Sequence, residues 1–455
     1  MQIELIKSDN FNVNYLAKIV KIDNFKPHQD PAVNKLKCCS IDGFNIITGI
    51  DAQPGLYVYF PIACCINPDF LSYANLYRQK ILNRNPECSG MFEDNGRVKA
   101  IRLRGELSEG FIISVQVLED YIISITNKTI QIENNVEFDT IKYGDKTFWF
   151  NKKYIPKAEP KKLQGPNLPK SKKPKGYNKI IPTQFRFHYD TVIIKKCPGV
   201  IKPDDIISIT EKVHGTSGIS AYVLCKQELN WKQKIAKWLT KEAFDIYDYV
   251  YASRSVVKNP FYNKNVTKGF YDVDVWKYAD EIIRPLLVKG MTIYYEIIGY
   301  LPNKSYIQKG YDYGCVPPKE DEVYTYDKHF KIKVYRITIT NIDGIIHEFS
   351  TREVQQWCNY FGLIPVTQYY YGLAKNLYPN IPIDNDWSNN FITQLSDDKN
   401  FYMEQNSPTC TNKVPHEGIV IKVENMRSEA FKLKCFKFID RETVNSEELN
   451  IEDNA

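Results

Sequence analysis

The chain has 455 residues, 43% of them apolar and 25% charged, with a formal net charge of +6. That length exceeds what one hydrophobic core serves, so at least two domains are expected, and the composition excludes a disordered or fibrous chain. It holds no apolar run of bilayer-crossing length, no basic and apolar leader at the amino terminus, and no C-x-x-C among its eleven cysteines, which disfavours a membrane span, a secreted disulfide framework and a zinc site.

Reduced thiols and a cytoplasmic location are therefore expected. From the amino terminus, short segments of alternating apolar character recur between turn residues: Tyr15 to Ile22, Phe44 to Thr48, Leu56 to Phe60 and Val98 to Leu103. Short strands of this kind over residues 1–150 predict a small β-barrel, with one helical interruption near Phe70 to Arg84.

Residues 151–180 differ sharply. They hold ten lysines against one acid, Glu159, which contributes +9 and leaves −3 for the rest of the chain. Five prolines and few large apolar residues make this an extended, semi-rigid connection and place a domain boundary there. Its lysines suit either a phosphate backbone, held through counterion release, or plain solvation.

From 181 to 455 strand-like and helix-like runs mix without regular alternation. Strands are predicted at Ile206 to Ile209, Gly218 to Leu224, Thr292 to Ile298, Lys331 to Ile339 and Gly418 to Val423, and helices at Trp231 to Tyr247 and Arg352 to Tyr360. The fold class is α+β rather than a doubly wound sheet. No Gly-rich phosphate loop is present, so a nucleotide would have to be bound by another route.

Four elements carry chemistry. In Ile209-Thr210-Glu211-Lys212-Val213-His214-Gly215-Thr216-Ser217 a lysine ends a strand just before a glycine turn. A lysine placed so is a candidate nucleophile if nearby cations or a metal help it lose its proton; a surface turn has the same sequence. Glu296 lies inside the apolar run Ile293 to Gly299, where a carboxylate must meet a cation, a hydroxyl or a metal. Glu417 opens the apolar strand Gly418 to Val423. In Phe431-Lys432-Leu433-Lys434 alternation puts both lysines on one strand face, where an anion such as a triphosphate would relieve their repulsion.

In this order the four resemble the nucleotidyltransferase signature of ATP-dependent ligases and mRNA capping enzymes, in which the first motif is usually K-x-D-G. Ser253-Arg254 matches a Ser-Arg step of the ligases, and Val334-Tyr335-Arg336-Ile337 lies where those enzymes place a purine-stacking aromatic ring. His214 stands in place of the usual aspartate. That departure is similar to a group of RNA ligases with K-x-H-G followed by Thr-Ser or Thr-Asn, which carry an N-terminal OB-fold domain and seal nicks in duplexes. Ala17-Lys18-Ile19, Gly43-Phe44, Val58 to Phe60 and Arg102 to Gly110 resemble their OB region, and Phe185 to Thr191 resembles their approach to the lysine motif. Residues 226–250 and 301–330 look like insertions.

The resemblance implies an OB-type domain at 1–150, a basic linker at 151–180 and an adenylyltransferase domain of antiparallel sheets with flanking helices at 181–455. It implies that Lys212 accepts AMP from ATP, that Lys432 and Lys434 grip the α-phosphate with help from Lys422, and that Glu296 and Glu417 hold Mg²⁺ or Mn²⁺, or the ribose. Glu211 would orient groups beside the nucleophile, Gly215 would let backbone approach a phosphate, and Tyr335 would stack on adenine. Arg254 would contact a substrate phosphate, with Arg102 and Arg104 as further contacts to a nicked RNA or RNA-containing duplex. A capping guanylyltransferase, a DNA ligase and an inactive RNA-binding module are the alternatives; the first places its OB domain after the catalytic one, and the second usually keeps the aspartate.

Overall fold

The computed structural model describes residues 2–155, 179–227, 229, 231–240, 245–258, 271, 273–424 and 429–444. Among them no helix is long and apolar enough to cross a membrane. All eleven cysteines are free thiols.

The N-terminal region consists of short antiparallel strands. One sheet has the order Gly110–Ser114, Gly55–Pro61, Ala17–Ile22, Glu137–Phe138. A second joins Ile3–Ile6, Thr140–Tyr143 and Lys146–Trp149, and a third joins Lys26–Pro27, Leu36–Ile41 and Phe44–Gly49. Strand pairing does not close these sheets into a single barrel among the described residues. A core of Ile19, Val58, Phe60, Phe70, Leu118, Phe138 and Phe150 lies under them. Its rings pack closely, Phe70 edge-on to Phe150 at 4.9 Å and Phe138 stacked on Phe150 at 5.2 Å. The expected helical interruption is the short helix Pro68–Tyr73, started by Asn67. A longer helix, Val115–Thr126, was not predicted; the Ser114 side chain caps its start and left-handed Asn127 (φ +54°) stops it.

Both ends of the basic stretch are strand. Asn151–Lys153 pairs with Cys64–Ile66, and Lys179–Ile180 pairs with the end of Thr216–Lys226. The intervening residues 156–178, which hold most of the predicted linker, lie outside the described residues.

The second region contains two mainly antiparallel sheets. The first has the order Val192–Ile193, Glu429–Lys434, Gly418–Val423, Ile206–Glu211, Gln368–Leu373. The second runs Lys179–Ile180, Thr216–Lys226, Met291–Gly299, Phe330–Thr340, Ile346–Glu348, with Asp245–Ser253 and Ile364–Pro365 attached. Each sheet buries one face on its own core. Ile207, Ile209, Ile419, Ile421, Phe391 and Phe438 form one; Ile293, Ile297, Ile332, Trp276 and Cys358 form the other. Ser350 and Glu353 make a capping box for helix Thr351–Phe361, and left-handed Gly362 ends it.

One predicted element is corrected. Of the helix expected over Trp231 to Tyr247, Trp231–Thr240 is helical, residues 241–244 lie outside the described residues, and Asp245–Ser253 is a strand paired along Gly218 to Lys226. Tyr249 stacks on Tyr222 at 4.3 Å, so cross-strand packing overrides the local pattern.

Candidate active site

Strand Ile206–Glu211 is flanked by Gly418–Val423 and Gln368–Leu373. The chain leaves it at Lys212, whose backbone N–H donates to the Gly418 carbonyl at 2.9 Å. Lys212 Nζ donates to Glu417 Oε1 at 2.5 Å. Glu211 turns the other way. Its carboxylate accepts from Thr367 Oγ1 at 2.9 Å and Thr409 Oγ1 at 2.7 Å, so both its oxygens are held by protein hydroxyls.

His214 N–H donates to the Tyr313 hydroxyl at 2.7 Å, and its ring meets Tyr311 and Phe438 edge-on, each at 4.9 Å. Nδ1 lies 3.7 Å from Glu417 Oε2. Burial pushes the imidazole down to about 4 even though Glu417 pulls the other way. Gly215 has a steric reason to be glycine: a Cβ there would stand 2.6 Å from the Ile297 carbonyl. Close approach to the neighbouring strand, rather than an unusual φ, fixes the residue.

Glu417 is the hub. Its side chain is 4% exposed, and Lys434 Nζ also lies 3.5 Å from its Oε1. Burial works against its charge, but Lys212 and Lys434 outweigh that and hold it down to about 2. Strand Glu429–Lys434 pairs antiparallel with Gly418–Val423, setting Lys434 opposite Gly418 and Lys432 opposite Val420. Both lysines line one compartment with Lys212, Glu296, Ser253 and Arg254. Lys434 also reaches Glu442 at 3.3 Å, on the helix Phe436–Val444.

A second compartment adjoins the first and shares His188, Thr191, Lys212, Val213 and Glu296 with it. Apolar Val213, Val354 and Val366 line it together with Tyr335 and Glu211. Tyr335 sits at an irregularity in pairing, where the register passes from Tyr294–Arg336 to Tyr295–Val334 and leaves nothing opposite it. A bulge of this kind re-aims a side chain. The Tyr335 hydroxyl lies 3.3 Å from Ser217 Oγ, and the His188 ring stands edge-on to it at 5.1 Å. Lys422 lies on this side, donating to the Phe349 carbonyl at 2.7 Å and 3.6 Å from Glu348, which also binds Arg336 at 2.8 Å.

Thus Lys212, Gly215, Arg254, Glu296, Glu417, Lys432 and Lys434 meet in the first compartment, and Glu211, Tyr335 and Lys422 lie in the second. Arg102 and Arg104 line neither. Arg102 Nε is ion-paired to Asp440 at 3.0 Å, while Arg104 occupies a hairpin turn (φ +50°) before Gly105 (φ +94°). The strand that carries Arg102 ends at Leu103, so the turn separates the two arginines. Sequence reasoning assigned no role to His188, Asp190, Tyr15, Gln308 or Glu442, all of which line the first compartment. Asp190 pairs with Arg254 and accepts from Asn12 Nδ2 at 3.1 Å, and Gln308 Nε2 donates to the Gly215 carbonyl at 3.0 Å.

Among the described residues no cluster of three or more His, Cys, Asp or Glu side chains forms a ready-made metal cage. Glu417 Oε2 is buried with no hydrogen-bond partner among the described residues, a fit for a hard cation that takes most of its ligands from phosphate and water.

No protein-family model matches the sequence, and no curated protein matches it. Solved structures do. A mutant RNA ligase from Naegleria gruberi with AMP and manganese aligns over 94% of this chain and 98% of its own, at 14% identity and a TM-score of 0.51. An apo mutant of that ligase aligns over 95% and 99%, at 14% identity and a TM-score of 0.51. The ligase with pyrophosphate gives a TM-score of 0.50 at 14% identity over 94% and 98%. The chain therefore has the fold of this RNA ligase, built of mostly antiparallel sheets.

Proposed function

We propose that this protein is an ATP-dependent RNA ligase that passes AMP through Lys212 to a 5′-phosphate end and seals it to a 3′-hydroxyl, at nicks in RNA-containing duplexes. The observation that carries the reading is convergence. Segments around residues 212, 254, 296, 417 and 432 bring a lysine, an arginine, two acids and two further lysines to one compartment, joined to an aromatic and aliphatic one. The ligase that shares the fold holds AMP with manganese in one structure and pyrophosphate in another.

In the first step Lys212 Nζ, having given up its ammonium proton, attacks the α-phosphorus of ATP; a P–N bond forms as the bond to pyrophosphate breaks, and the nitrogen sheds a further proton to solvent. The Lys212–Glu417 pair has to open for that attack, because the same nitrogen is held at 2.5 Å. Lys432 and Lys434 bind the α-phosphate oxygens and counter the charge that builds there. Tyr335 stacks on adenine, Glu211 and Lys422 border the base side, and Gly215 keeps the turn after the lysine close-packed. Glu296 and Glu417 are the residues to hold Mg²⁺ or Mn²⁺, which would supply charge neutralisation at the phosphates. AMP then passes to the 5′-phosphate as the P–N bond breaks, and the 3′-hydroxyl attacks that phosphate and releases AMP. Arg254 faces the incoming phosphate, Asp190 holding its guanidinium meanwhile.

We read residues 1–150 as an OB-type nucleic-acid-binding domain, 151–180 as a basic linker and 181–455 as the adenylyltransferase domain. In that arrangement Arg102 and Arg104 lie on the N-terminal hairpin that borders the catalytic part, within reach of duplex flanking the break. Incubation with α-labelled ATP and Mg²⁺ or Mn²⁺ is expected to label the protein covalently, and Lys212→Ala to abolish the label. Labelling from GTP in place of ATP overturns the ligase reading. Sealing of an all-DNA nick as fast as an RNA-containing one overturns the RNA preference.

A further inference from the structure

The two compartments share five residues, and His188 is the ionisable one among them that the chemistry above does not use. His188 lines both. Its Nδ1 is buried and has no hydrogen-bond partner among the described residues. The ring is held in place from both sides. Phe185, three residues before it, is packed with Ile219, Ala221, Val250 and Tyr294, and the Tyr294 hydroxyl donates to the Arg186 carbonyl at 2.9 Å. Two residues after it, Asp190 is clamped by Arg254 and Asn12. Edge contact with Tyr335 at 5.1 Å and 70° sets the plane of the imidazole.

A buried polar atom left without a partner costs about 1–3 kcal/mol, so this nitrogen is expected to have a partner in the working complex. With a purine against Tyr335 and the α-phosphate at Lys212, the group that spans the junction of the compartments is the sugar. We infer that His188 reads the ribose of the nucleotide, bonding one of its hydroxyls and so making adduct formation prefer a ribonucleotide to the matching deoxynucleotide.

The chemistry suits a hydroxyl better than a phosphate. Lys212, Lys432 and Arg254 already supply cationic donors on that side. Burial, with Arg336, Arg254, Lys212 and Lys432 adding to it, holds the imidazole down to about 3, so it is neutral at working pH, with one nitrogen to donate and one to accept. A sugar hydroxyl also both donates and accepts. A phosphate would leave the accepting nitrogen unused.

This inference rests on the adenylylation reading, and one experiment separates the two. The rate of covalent adduct formation is measured with ATP, 2′-deoxy-ATP and 3′-deoxy-ATP for the full-length protein, His188→Ala and His188→Gln. The unmodified protein is expected to favour ATP over one of the deoxynucleotides by roughly tenfold, the size of one neutral hydrogen bond. In His188→Ala that preference collapses toward unity, through KM rather than kcat, while His188→Gln, with a donor and an acceptor, keeps part of it. Equal slowing with all three nucleotides, or no discrimination by the unmodified protein, overturns the ribose assignment and leaves the ligase reading standing. No adduct from any nucleotide overturns both.

Discussion

His214 stands where the related signature has aspartate, and its surroundings explain what an imidazole does there. A carboxylate at that position would face Glu417 Oε2, which lies 3.7 Å from Nδ1, inside a pocket of Tyr311 and Phe438 rings. Two buried carboxylates at that separation repel; a neutral ring packs. The sequence placed His214 two residues after Lys212 but could not show that its partners come from residues 311, 313, 417 and 438. The same burial gives a pH dependence with a definite sign. The unfolded imidazole titrates near 6.5, whereas burial moves the folded one down to about 4. As pH falls through 6.5 the unfolded chain takes up a proton that the folded protein refuses, so stability falls over that window and levels off near pH 4. Glu417 acts lower: its ordinary value of 4.5 is held down to about 2, so its contribution is present above 4.5 and lost as pH falls toward 2. Between pH 7.5 and 5.5 His214 is expected to remove about 1 kcal/mol of unfolding free energy. His214→Asn should be spared that loss; equal losses in urea unfolding of both proteins would refute the assignment.

At the scale of elements, the motifs readable in the sequence were those that depend on one strand. Alternation put Lys432 and Lys434 on one face, and the acid in the apolar run Ile293 to Gly299 is the one intermediate position in an otherwise buried strand. Elements that depend on a distant partner were not readable. The strand Asp245–Ser253 begins inside a helix-like pattern because its pairing with Gly218 to Lys226 decides its conformation. His188, Asp190 and Gln308 reach the site through long-range packing that no local period records. Gly418 joins the two kinds of information. It opens the strand after Glu417 with φ +136°, and a Cβ there would stand 2.1 Å from the Leu433 carbonyl. Its own carbonyl receives the Lys212 N–H. Gly418→Ala is therefore expected to cost about 3 kcal/mol and to displace Lys212. Both a lower melting temperature and slower adduct formation should follow; an unchanged melting temperature would show that the strand pair tolerates the side chain.

The whole molecule is tied together close to the site. Asn14 Oδ1 accepts from the Ile193 N–H at 2.8 Å, Asn14 Nδ2 donates to the Thr191 carbonyl at 3.1 Å, and Lys196 Nζ donates to the Val13 carbonyl at 3.0 Å. Tyr15, at the end of that N-terminal segment, lines the first compartment. Arg102 to Asp440 adds an exposed tie between the N-terminal hairpin and the helix that carries Glu442, and an exposed pair of this kind contributes little. The buried link is Lys195. Its ammonium lies 3.8 Å from Glu109, with side chains 8% and 3% exposed, and it also contacts the Phe44 and Phe436 rings at 5.2 and 4.8 Å. Lys195→Met removes the cation and leaves the Glu109 carboxylate buried with the Asn45 N–H at 3.1 Å but without its counter-charge, and stranding a buried charge typically costs about 3–5 kcal/mol. If the pair couples the two regions, the double variant Lys195→Met with Glu109→Gln should be less destabilised than Lys195→Met alone, because the stranded charge is gone. A double-mutant cycle in urea measures that coupling directly. Strictly additive losses would mean that the N-terminal and C-terminal regions are held together by the Asn14 and Lys196 contacts without help from the ion pair.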